Sequence, residues 1–272
     1  MTHLPNHNHD PSIATIEVKN LVVHYGPRKI LDGVSLRVFP AEILVVLGGS
    51  GCGKSTLLRT MLGLLRPTSG QVLIKSKDIT RLNEDELLEI RLRTGVLFQS
   101  AALFNSMTIE ENVSLPLREH TALNDATIKI MSRIKIGLVG LSGYEDFLPS
   151  QLSGGMKKRA GLARAISMDP EVLFFDEPSA GLDPITAAGL DDLILKLKKT
   201  FKMSIIVVTH ELPSVFKIAD RIVMMDKGLV IFDGTTEEIK ASSIPRVRQF
   251  IEREPEGDAC QTGQFLEALN CG

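Results

Sequence analysis

Four short apolar runs punctuate the chain: Ile43 to Leu47, Val172 to Phe175, Ile205 to Val208 and Ile222 to Met225. None alternates with polar residues, and each is bounded by turn or helix signals, which predicts strands buried on both faces. The first runs into a Gly-rich turn, the second into Asp176-Glu177-Pro178, the third into Thr209-His210-Glu211. Between them lie helical patterns: Thr56 to Leu62, a segment through Ile166 with Ser153 as its N-cap, and Ile185 to Lys199. Strands alternating with helices predict a mostly parallel sheet covered on both faces. The front end differs, because Ile16 to Val23 and Val34 to Val38 alternate and lie close together; this predicts a small antiparallel sheet beside the main one. From about Phe104 to Asp169 strand signals give way to helical ones, as an inserted helical subdomain would require. Leu229 to Phe232, following Lys227-Gly228, reads as a hairpin strand. After Arg253 the chain turns polar and Gly-rich, so residues 254–272 read as a tail or arm, and no internal repeat is found.

Composition narrows the class without changing this picture. The 272 residues are 43% hydrophobic and 24% charged, which is ordinary for a globular chain and excludes a disordered one. With 31 basic and 33 acidic residues the net charge is −2, against a dedicated nucleic-acid binder. The three cysteines, Cys52, Cys260 and Cys271, are too few for a disulfide framework and suggest a reducing compartment. The apolar runs are far shorter than the ~20 residues a membrane span needs. Met1 to Pro11 is polar and His-rich with no apolar core, so it reads as no secretory signal. His3, His7 and His9 read as part of a solvated tail.

Two segments carry recognisable chemistry. Gly48-Gly49-Ser50-Gly51-Cys52-Gly53-Lys54-Ser55 fits the G-x-x-x-x-G-K-[ST] pattern, with an apolar strand leading in and an apolar helix beginning near Lys54 and Thr56 leading out. Glycines let successive backbone N–H groups turn inward on phosphate oxygens, and the helix adds the positive end of its dipole. Lys54 would reach the β- and γ-phosphates, and the Ser55 hydroxyl is a hard oxygen ligand for Mg²⁺. Cys52 reads as a small loop residue. The second segment, Val172 to Glu177, delivers two carboxylates at the end of an apolar strand. Asp176 would hold Mg²⁺ and Glu177 would act as general base toward an attacking water.

Leu152-Ser153-Gly154-Gly155-Met156, shortly before that strand, adds a third motif. Together these segments resemble the ATP-binding subunit of ABC transporters over about residues 14–245. The resemblance implies an α/β fold, a P-loop NTPase core of mostly parallel sheet with an antiparallel β subdomain and an inserted α-helical subdomain. It implies a disordered N-terminal segment at 1–14, an ATPase domain at 15–244 with its helical subdomain at about 104–169, and a C-terminal arm at 245–272. ATP and Mg²⁺ are the implied cofactors. Tyr25 resembles the aromatic that stacks on adenine. Gln99, after Val96-Leu97-Phe98, resembles the glutamine that senses Mg²⁺ and the membrane partner. Ser153, Gly154 and Gly155 resemble the signature turn that grips γ-phosphate across a dimer interface. Ser179-Ala180-Gly181-Leu182-Asp183 resembles the loop coupling the two sites, and His210 the switch histidine. Met156 departs from the glutamine common in the family. Lys157, Lys158, Arg159 and Arg164 read as a solvated or interfacial helix face rather than a nucleic-acid patch.

Three shorter strings refine the resemblance: Pro116 to Thr121, Asp183-Pro184-Ile185-Thr186 and Arg246 to Ile251 are similar to the Mla-type ATPases of MCE-associated lipid transporters. That implies a phospholipid transport ATPase maintaining outer-membrane asymmetry from the cytoplasmic face of the inner membrane, as a peripheral subunit. It implies as partners a second copy of the chain, an inner-membrane permease, an MCE-domain protein and a small STAS-domain subunit, with no nucleic acid. Phe104 and Met107 are expected to line a groove for a permease helix. A small-solute importer ATPase and a non-transport ABC ATPase remain alternatives.

Overall fold

The computed structural model describes residues 14–254; the expected N-terminal segment, with His3, His7 and His9, and the chain from residue 255 on, with Cys260 and Cys271, lie outside the described residues. The chain opens with β1 (Ile16–Tyr25), β2 (Arg28–Val38), β3 (Ile43–Gly48) and α1 (Lys54–Met61), then β4 (Ser69–Ile74), β5 (Lys77–Asp78), α2 (Glu84–Arg91) and β6 (Thr94–Leu97). Three helices follow: α3 (Ile109–His120), α4 (Asp125–Leu138) and α5 (Gly154–Ala165). The second half alternates β7 (Val172–Asp176), α6 (Pro184–Phe201), β8 (Ser204–Thr209), α7 (Leu212–Ile218) and β9 (Arg221–Asp226). It closes with β10 (Leu229–Gly234), α8 (Thr236–Lys240) and α9 (Pro245–Ile251).

The strands form two sheets. One is antiparallel with order β2-β1-β4-β5; the other has order β10-β9-β3-β8-β7-β6 and is parallel apart from β10. The unalternating apolar runs are explained by what covers the larger sheet. Along β3, Ile43, Val45 and Leu47 point into one core, shared with α3 and α5 to α9. Leu44 and Val46 point into a second core, shared with β1, β2, β4, α1 and α2. β7, β8 and β9 divide their residues the same way, so each strand needs apolar residues at every position. The antiparallel sheet therefore lies over one face of the main sheet rather than beside it, because its buried residues Ile16, Leu21, Leu31 and Leu36 need an apolar partner surface.

The helical insertion begins after β6. Each of its helices has an N-cap: Thr108 with Glu111 in a reciprocal box, Asn124 toward Thr127, and Ser153 toward Met156. α5 leaves the insertion and enters the body, where Ala160, Leu162 and Ala163 are buried beside Leu97 and Leu173. At the other end of the chain, α9 departs from the expected arm at 245–272. Val247, Phe250 and Ile251, at helical spacing, pack on the main core, and Arg246 Nε lies 3.2 Å from Asp226 Oδ1. The expected boundary at 244 thus falls inside the packed body. Among the described residues no helix is long and apolar enough to cross a membrane.

Candidate active site

Register brings the site together. Leu97 pairs with Phe175, Asp176 with Val208, and Leu47 with Thr209. Gly48, Gln99, Glu177 and His210, each at or just past the end of its strand, therefore gather at the C-terminal edge of the parallel sheet, where open α/β sheets bind ligands.

The loop from Gly48 to Gly53 turns directly into α1. Gly53 is its N-cap at φ +109°, and a Cβ there would stand 2.7 Å from Leu31 Cδ2; only glycine satisfies both demands. Gly49 is half-buried, Ser50, Gly51 and Ser55 are exposed, and Thr56 is half-buried. Cys52 is buried, which pushes its thiol pKa up and disfavours the thiolate. The hairpin tip between β9 and β10 buttresses the loop: Gly228 N–H donates to Cys52 O at 3.0 Å, and Asp32 N–H donates to Gly228 O at 3.0 Å.

Lys54 is 7% exposed, and its Nζ donates to Gly48 O (2.8 Å) and Gly49 O (3.0 Å). It also stands 3.8 Å from Glu177 Oε1, so the loop and this carboxylate share one cation. The Ser55 hydroxyl donates to Asp176 Oδ1 at 3.4 Å. Burial, with the charge of Glu177 beside it, pushes the Asp176 carboxyl above the usual range; Ser55, Arg59 and Lys54 act against this. Two hard oxygens, one on a carboxylate that burial leaves short of positive charge, fit a divalent cation such as Mg²⁺.

Glu177 adopts φ +49°, an uncommon conformation for a non-glycine residue. Its N–H donates to Val208 O at 2.8 Å, extending the ladder one residue beyond β7. His210 Nδ1 lies 2.8 Å from Glu177 Oε2 but outside hydrogen-bonding alignment, so this buried oxygen has no bonded partner among the described residues. His210 is itself half-exposed, with Nε2 3.5 Å from Glu211 Oε1.

The remaining predicted residues fall in other places. Tyr25 ends β1 at an exposed hairpin tip opposite Arg28, in the sheet that supports the loop. Gln99 is exposed, at the junction of sheet and helical insertion. Ser153 and Gly154 are exposed, and the Ser153 hydroxyl accepts from Met156 N–H at 3.3 Å. Gly155 is buried against α6: a Cβ there would meet Thr186 Cγ2 at 2.3 Å. Asp183 caps α6, accepting from Ile185 and Thr186 N–H groups (3.1 and 3.0 Å); the Thr186 side chain, together with these backbone bonds, holds its carboxyl below the usual range. No hydrogen bond or ion pair among the described residues joins Ser153, Gly154, Gly155 or Asp183 to the phosphate loop of the same chain.

Sequence reasoning missed Asn112. Asn112 is fully buried, and its amide bonds to Phe104 N–H and to the carbonyls of Phe104, Met107 and Thr108 at 2.8–3.1 Å, fixing the loop after Gln99. Three cations of α5 turn to backbone carbonyls of neighbouring segments. Lys158 is 6% exposed and donates to Gln99 O and to Glu177 O. Arg159 donates to Val139 O and Arg164 to Ala101 O. α5 passes between the insertion and the body, so packing surrounds it and its cations turn to backbone carbonyls. Phe104 is half-exposed under the Arg164 guanidinium, 5.8 Å from its ring, and Met107 is half-buried.

Comparison with known proteins agrees with this geometry. A family model described as ABC transporter matches residues 31–180. The chain is 43% identical, over 89% of its length and 92% of the relative's, to the intermembrane phospholipid transport system ATP-binding protein MlaF of Haemophilus influenzae. It is 41% identical to the probable ribonucleotide transport ATP-binding protein mkl of Mycobacterium tuberculosis, over 89% of this chain and 67% of that one. Among solved structures it is similar to the dimeric ATP-binding cassette MJ0796 bound to ADP and Pi, with a TM-score of 0.75 and 29% identity over 81% of this chain and 98% of that one.

Proposed function

Because the chain belongs to the ABC transporter family, we propose that it is the ATP-hydrolysing subunit of a system that moves phospholipid between membranes. One observation carries the ATPase assignment: a buried Glu177 oxygen with no bonded partner, beside Lys54, His210 and a phosphate-binding loop. The loop N–H groups and the α1 dipole hold the triphosphate, and Lys54 shifts from its own loop carbonyls to the β- and γ-phosphate oxygens. Glu177 Oε2 accepts the proton of the attacking water, and His210 orients the γ-phosphate beside it. Ser55 and Asp176, with Gln99, would hold Mg²⁺, which would supply positive charge against that developing on the phosphates.

The other side of the nucleotide belongs to a second copy. Ser153 and Gly154 offer an exposed helix N-terminus that a γ-phosphate can approach only from outside the chain. ATP thus joins two subunits, and hydrolysis releases them. Tyr25 stacks on the base. Asp183 lies at the joint between the two sites, where its cap on α6 sets the loop before it.

The identity with the Haemophilus influenzae phospholipid transport protein supports the cargo. The chain works at the cytoplasmic face of the inner membrane beneath a permease, with an MCE-domain protein and a STAS-domain subunit, and Phe104 and Met107 receive the permease. The mycobacterial relative favours a second reading, ribonucleotide transport. Pull-down from native membranes, with a photocrosslinker at position 104 and analysis of the bound material, separates the two. A crosslinked permease with co-purifying MCE protein and phospholipid is expected; a nucleotide-binding partner without lipid supports the second reading.

A further inference from the structure

Lys158 has no part in the chemistry described above, yet it is a buried ammonium, and burial lowers its pKa against the pull of Asp176 and Glu177. A methionine would fill the same space without the cost of desolvating a charge, so the ammonium calls for a reason. Its partners supply one. It donates to the backbone oxygen of Gln99, where the chain passes from β6 toward the helical insertion, and to that of Glu177, 3.3 Å away, at the positive-φ residue carrying the catalytic carboxylate. These are the backbones of two separate catalytic loops, and one side chain spans them.

Position on the helix adds the second half. Lys158 sits on α5 five residues after the Ser153 N-cap, about 7.5 Å along the axis. The same rigid helix thus presents its N-terminus outward and anchors its own chain's Glu177 inward. We propose that Lys158 is a positioning residue: through it, the seating of one nucleotide on the Ser153 turn sets the Glu177 carboxylate that serves the other nucleotide. Displacing α5 moves the ammonium, and with it the Gln99 and Glu177 carbonyls that it holds. This rests on the ATPase reading above and adds a physical link between the two sites of a dimer.

The test uses the full-length chain in the complex that it pulls down from membranes. Lys158→Met keeps the stem and removes the donors. Its kcat is expected to fall about 10- to 100-fold, the range for a slightly misplaced catalytic group, with KM for ATP changed by less than about twofold. Lys158→Arg, which can still donate to both carbonyls, is expected to recover most of the kcat. Wild-type kcat in Lys158→Met overturns the proposal. So does a loss shared equally by kcat, ATP affinity and melting temperature that Lys158→Arg does not repair, because the lysine would then serve packing alone. Glu177→Gln measured alongside separates the two levels. Full turnover in that variant defeats the site assignment itself, whereas an inactive Glu177→Gln beside a fully active Lys158→Met defeats only the role of Lys158.

Discussion

The phosphate loop and the Ser153 turn are both glycine-bearing approaches to a helix N-terminus, and the chain treats them in opposite ways. Lys54 is buried, bonded to two carbonyls of its own loop and close to Glu177, while Ser55 is bonded to Asp176 and Gly228 braces the loop from behind. Ser153 and Gly154 are exposed, and the Ser153 hydroxyl bonds within its own helix. One end is organised before any ligand arrives; the other is left facing outward, supported from behind by the contact of Gly155 with Thr186. A polyanion between two such ends is completed only when they come from different copies. On the function proposed above, the exposed turn is half of a site.

The comparison can be broken most sharply at Glu177. Glu177→Gln is expected to bind ATP and to turn over at least ~100-fold more slowly, since it removes the proton acceptor and leaves the cradle intact. Steady-state hydrolysis checks the rate, and size-exclusion chromatography with ATP and Mg²⁺ checks that the variant accumulates as a dimer. A variant that stays monomeric with its partners present ends the two-copy account. Next in size, Lys54→Ala is expected to weaken ATP binding at least ~10-fold by removing a charge-assisted contact to phosphate, which titration with a fluorescent ATP analogue measures. Unchanged affinity would mean that the Nζ bonds to Gly48 and Gly49 only staple the loop. The smallest effect sharpens the contrast. Ser153→Ala is expected to cost about 1 kcal/mol of stability through the lost cap, read as a modest fall in melting temperature. ATP affinity of the isolated subunit should hold while turnover in the dimer drops. Equal loss in both would place Ser153 in its own chain's site.

What the sequence determined by itself was local. Glycine spacing before Lys54, the cap at Ser153, and apolar runs such as Ile43 to Leu47 depend on residues within a turn or a strand, so they can be read in order along the chain. The gathering of Gly48, Gln99, Glu177 and His210 was legible only as motif order; strand register made it a place. Tertiary structure alone decided the rest. An apolar run buried on both faces does not say what covers each face, so the antiparallel sheet's seat over one of them could not be foreseen. Nor could α9 be seen to pack, because Val247, Phe250 and Ile251 suit a body or an arm equally. The inward turn of Lys158 on α5 was hidden for the same reason. Ala160, Gly161, Leu162 and Ala163 are all buried, which leaves the helix little solvated face. A charge without access to water must find carbonyls, and only the fold puts those of Gln99 and Glu177 within reach of Lys158.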